Sequence, residues 1–92
     1  MKNVTIDLTN IQTQRGMHAY IAYVMNFPAY YGRNLDALYD MLAQIGEPTL
    51  IMIRRPAQLP QEMAALFPKL SLVLHDVQEE NDCLQVFVEI EG

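Results

Sequence analysis

Thr49-Leu50-Ile51-Met52-Ile53 is an apolar run of strand length, bounded by Pro48 and by the basic pair Arg54 and Arg55. Strands without polar alternation are those covered on both faces, so this run is expected at the centre of a sheet. Upstream, Val4, Ile6 and Leu8 alternate with Thr5 and Asp7; downstream, after a turn at Asn81 and Asp82, Leu84, Val86, Val88 and Ile90 alternate with Gln85, Phe87 and Glu89. That period of two marks half-buried strands. The intervals read as helices. Thr13 or a neighbour can cap a first one, whose core face is Met17, Tyr20, Ile21 and Val24, and Leu35, Leu38, Leu42 and Ile45 form the stripe of a second, with Gly46 as its left-handed stop. Leu59, Met63, Leu66 and Phe67 define a third, and Leu70, Val73, Leu74 and Val77 a fourth, with Pro68 opening it. Strand, helix pair, strand, helix pair, strand is the pattern of an α/β fold whose parallel strands are joined by right-handed helical crossovers.

The second helix carries the most distinctive surface. Asn34 is a preferred N-cap, so the helix is expected to start at Leu35, after a loop punctuated by Pro28 and Gly32. At 100° per residue, Asp36 and Asp40 lie roughly 140–180° from the centre of the apolar stripe and point to solvent together. Their Cβ atoms are about 5–6 Å apart, a spacing at which like charges cost a few tenths of a kcal/mol. The positive end of the helix dipole offsets this at Asp36 but has faded by Asp40. Local stability therefore does not account for Asp40. Tyr39 flanks the two acids, and Tyr30 and Tyr31 sit in the loop that feeds the helix, which makes a candidate hot-spot surface for a basic partner.

The fourteen positions from Phe27 to Asp40, Phe-Pro-Ala-Tyr-Tyr-Gly-Arg-Asn-Leu-Asp-Ala-Leu-Tyr-Asp, resemble the signature of the barstar family, small intracellular inhibitors of barnase-type ribonucleases. Elsewhere the likeness lies in length and element order. The resemblance implies a two-layer fold with a three-stranded parallel sheet in the order 1-2-3. It also implies that the loop and acidic helix plug a basic nuclease active site, with carboxylates in place of substrate phosphates. Tyr30, Asp36, Tyr39 and Asp40 then occupy contact positions, Tyr31, Gly32 and Asn34 of the same motif are expected to bind the partner with them, and Asp76 is the candidate for a further acidic contact near the end of the last helix. Two positions depart from the pattern: Tyr39 stands where tryptophan is frequent, and Arg33 sets a cation beside the acids.

Composition bounds the rest. Ninety-two residues, 51% of them hydrophobic, make one domain spanning 1–92 that needs no metal or disulfide to fold. Cys83 is the only cysteine, which suits a reducing compartment, and its place at the start of a strand pattern favours a buried structural role. Met1 and Lys2 lead straight into alternation with no signal peptide, and no apolar run approaches a membrane span, so a cytoplasmic protein is expected. His18 lies off its helix stripe, is expected at the surface, and has no second ligand at zinc spacing. The net charge of −5, from eleven acids and six bases, argues against direct binding of nucleic acid, which needs clustered Lys and Arg.

The chain contains no phosphate-binding glycine loop, no H-E-x-x-H and no C-x-x-C. Asp36 and Asp40 lie on a convex face without the enclosure that acid and base catalysis uses. An enzyme is therefore not expected, nor a cofactor or metal. The leading reading is an inhibitor of a basic extracellular-type ribonuclease, barnase-like or a nuclease toxin, and a monomer when free. The alternative is a regulatory binding module for a basic protein that is not a nuclease.

Overall fold

The alternation at Val4 and Ile6 becomes a strand, β1 (Lys2–Asp7), and the apolar run becomes β2 (Thr49–Pro56). With β3 (Leu84–Glu91) they form a parallel sheet in the order β1-β2-β3, so the apolar run is central. The computed structural model describes residues 1–91. Register places Val4, Ile51 and Val86 in one row and Thr5, Met52 and Phe87 in the next. The first row faces the core and the second faces away. Right-handed crossovers that always step in the same direction put their helices on one side of the sheet. Two-sided cover of β2 is accordingly not found: Ile51 and Ile53 are buried, whereas Leu50 and Met52 are half-buried. The basic pair lies inside the strand, split between its two faces. Arg54 pairs with Glu89 and Glu91, and Arg55 lies 4.7 Å above the Phe67 ring.

The first helix, α1 (Gln14–Met25), starts where Thr13 Oγ1 accepts the Gly16 N–H and the Glu62 carboxylate accepts the Gln14 N–H. It ends at Asn26, whose left-handed φ of 56° lets its N–H reach the Ala22 and Tyr23 carbonyls. Met17, Ile21 and Met25 are buried, and so is His18, contrary to its expected place at the surface. Its neighbour is the cause: Tyr31 folds back over it from the following loop.

After α2 (Leu35–Ala43) the expected glycine stop does not form. Gln44 is the C-cap in right-handed conformation, and no described glycine has positive φ. The expected third and fourth helices are one, α3 (Gln61–Glu80), with Pro68 inside it. Proline there removes a hydrogen bond to the Ala64 carbonyl and costs about 3 kcal/mol. Met63, Leu66, Phe67, Leu70, Leu74 and Val77 nevertheless form one buried stripe across it. Burial of each such side chain contributes about 1.5–3 kcal/mol, so a break would sacrifice more than the proline costs. Pro68 and Ala64 are both exposed, which leaves the freed carbonyl to water.

Candidate functional site

The site begins in the loop between α1 and α2. Phe27 N–H donates to the Ala22 carbonyl, its ring packs 4.9 Å from that of Tyr31, and Tyr31 N–H donates to the Pro28 carbonyl. Tyr31, expected beside Tyr30 on the contact surface, is instead turned inward. Only 5% of it is exposed, and its hydroxyl lies 2.6 Å from His18 Nδ1. Burial holds the His18 imidazole below its ordinary value, and burial pushes the Tyr31 phenol up to about 12 against a small opposing effect of Arg33. The pair is therefore neutral near pH 7. His18 Nε2 is buried without a partner. Tyr31 thus pins the loop, and Tyr30 stands 80% exposed beside it.

The next three residues set the entry to the acidic helix. A Cβ on Gly32 would stand 3.3 Å from Ala37 Cβ, so the loop passes close over the first turn of α2. Arg33 follows in the left-handed region at φ 54°, a conformation that costs an L-residue roughly 1–2 kcal/mol. Asn34 then accepts the Ala37 N–H on Oδ1 at 2.7 Å and donates from Nδ2 to the Gly32 carbonyl at 3.3 Å. Its side chain is engaged as the helix cap. Among the described residues no carboxylate lies within ion-pair distance of Arg33, so its charge is not consumed internally.

On α2, Leu38 and Leu42 are buried, Tyr39 is half-buried, and Asp36 and Asp40 are exposed as the helical spacing predicts. The far end of the helix is held from a distance. Asn81 Nδ2 donates to the carbonyls of Leu42, Ala43 and Ile45 at 3.0, 3.3 and 2.9 Å, while its Oδ1 accepts the Cys83 N–H at 3.0 Å. One side chain thereby ties the C-terminus of the acidic helix to the turn before β3. It supplies the donors that a left-handed glycine cap would have brought.

α3 packs alongside α2. The Tyr39 phenol is raised by partial desolvation and then by the negative charges of Glu80, Asp76 and Asp40. The ring thus feels the charge of acids from both helices. Asp76 is exposed as expected, and Glu80, not singled out from sequence, joins it one helical turn further on. The i, i+4 spacing of Asp76 and Glu80 was the available signal. A shallow groove beside Tyr30, lined by Pro28, Met41, Ile45 and Glu47, adjoins this face.

Among the described residues no three His, Cys, Asp or Glu are arranged to hold a metal ion, and no helix is long and apolar enough to cross a membrane. What the face offers is anionic charge framed by aromatic rings. The family model described as barstar (barnase inhibitor) matches residues 1–90. Comparison with curated proteins gives no match.

Proposed function

Because the chain belongs to the barstar family, we propose that it acts as one domain in the cytoplasm to inhibit a barnase-type ribonuclease, with α2 and the Tyr30 to Asn34 loop plugging the enzyme's basic active site. The observation that carries this reading is that Asp36 and Asp40 on α2 are exposed beside Tyr39, with Asp76 and Glu80 exposed on α3, the helix packed alongside. A ribonuclease active site binds phosphates through cations, and carboxylates on a rigid helix present the same charge without a scissile bond. Asp40 is the central contact. Asp36, Asp76 and Glu80 surround it, Tyr30 and Tyr39 supply stacking area, and Gly32 permits close approach of the backbone. Tyr31 and Asn34 act by shaping the loop.

A net charge of −5 facing a basic enzyme steers encounter, so association falls as salt shortens the Debye length from about 10 Å at 0.1 M to about 3 Å at 1 M. The barnase and barstar pair is the standard instance of such steering, and that magnitude belongs to the class of complexes. The test is titration of a purified barnase-type ribonuclease with the protein. RNA cleavage is expected to fall linearly to zero at one equivalent. Undiminished cleavage across such enzymes, with retained binding to some other basic protein, would move the assignment to a regulatory module.

A further inference from the structure

The free edge of β3 is guarded along half its length. In a parallel strand, successive residues point their N–H and C=O groups to opposite sides. Cys83 and Glu91 carbonyls accept from Thr49 and Ala57, so the odd-numbered residues face β2. Leu84, Val86, Val88 and Ile90 therefore face outward. Leu84 N–H is taken by the Asn81 carbonyl and Val86 N–H by Gln78 Oε1 at 2.9 Å. Among the described residues nothing takes the N–H groups of Val88 and Ile90. Their side chains are 45% and 61% exposed, and Phe87 is 54% exposed. The strand carries neither proline nor lysine, the usual edge protection, and its two acids are drawn to Arg54 on β2.

We propose that this edge pairs with the same edge of a second copy, antiparallel and centred on Val88, to give a continuous six-stranded sheet. In that register Val88 N–H donates to the Val88 carbonyl of the second copy, and Ile90 N–H donates to its Val86 carbonyl. Val86 N–H stays with Gln78. The free donors of Val88 and Ile90 thus all find acceptors under a two-fold rotation, which is what a closed dimer interface requires. On the helix side Val86 opposes Ile90, and on the other side Phe87 opposes Glu89, so no like charges meet. Neighbouring registers fail. Centring on Glu89 sets that acid against itself, and centring on Phe87 forgoes the N–H groups of both Val86 and Leu84, which Gln78 and Asn81 already hold, where the Val88 register, among the described residues, forgoes Val86 alone. The proposed reversible dimer departs from the expected free monomer, independently of any reading of the acidic face.

Sedimentation equilibrium of the purified protein, from dilute to near-millimolar, tests this. The wild type is expected to shift from one-chain to two-chain mass, and Val88→Lys, which sets two ammonium groups on the two-fold axis, to raise the dimer dissociation constant at least a hundredfold. Should Val88→Lys lower the melting temperature, Ile90→Lys at the more exposed position takes its place. A one-chain mass at every concentration, or an undisturbed dimer in the lysine variant, overturns the proposal. So does protection of the Val88 and Ile90 amides only when a ribonuclease is bound, which would give the edge to a foreign strand.

Discussion

Asn81→Ala tests how the acidic helix is held. The two N–H groups of this side chain serve three carbonyls of the α2 terminus, and its oxygen accepts one further N–H. Three hydrogen bonds' worth of pairing at about 0.5–1.5 kcal/mol each gives about 1.5–4.5 kcal/mol. The Ala43 contact is exposed and regains water, which places the expected loss at about 2–3 kcal/mol. For 92 residues the total stability is about 5–14 kcal/mol, so the substitution removes a large share of it. In urea the midpoint should fall by about 1–2 M. Amide exchange should accelerate in the last turn of α2 before it does in β2. Asn81→Asp sharpens the test because it keeps the shape, loses both donors and sets a negative charge at the negative end of the helix, adding about 0.3–1 kcal/mol of destabilisation. If both variants lose less than about 0.5 kcal/mol, or if the aspartate variant is as stable as wild type, water caps this helix and the reasoning fails.

Asp40→Ala should weaken ribonuclease binding by about 2–5 kcal/mol, chiefly through faster dissociation, because the enzyme's cations are left desolvated and unpaired. Asp76→Ala and Glu80→Ala should mainly slow association, with Asp82→Ala as the exposed control; stopped-flow rates that respond equally to all four would reduce Asp40 to general charge. His18 carries a pH dependence of folding. Its folded value lies below the ordinary 6.5, so the unfolded chain takes the proton first and its contribution is complete above that value. Stability should then fall as pH drops below about 6.5 and level off beneath the folded value; urea titrations with an equal slope in His18→Gln would exclude it. Arg33→Gly should raise the midpoint of melting by relieving a left-handed arginine, a gain of up to about 1 kcal/mol, and should speed association by removing a cation.

The elements visible in the sequence are those whose causes are local. Thr13 and Asn34 sit within three residues of the N–H groups they cap, and the strand periods report directly which face is dry. What escaped is held by partners far along the chain. His18 is buried because Tyr31, thirteen residues later, covers it, and no helical wheel drawn on α1 contains that ring. The α2 terminus is capped by Asn81, 38 residues beyond Ala43, so the nearby glycine was the wrong place to look. Pro68 is tolerated because packing on both sides outweighs one lost hydrogen bond, a comparison propensity alone does not make. In the candidate site, Asp36 and Asp40 were legible from spacing. Tyr30 and Tyr31 read alike in sequence, and only tertiary contact separates the exposed ring from the buried one.

The acidic face is shared between α2 and the end of α3, and α2 itself is fastened by residue 81. A chain made from its N-terminus onward has synthesised the whole of the Tyr30 to Asp40 motif long before it contains any of those supports. At that stage the acids of α2 are on a nine-residue helix, a length at which an isolated helix is marginal in water. The growing polypeptide then carries two of the face's four acids, Asp36 and Asp40, and none of its rigidity. The face is therefore assembled only once the end of α3 and residue 81 have been made, and all at once.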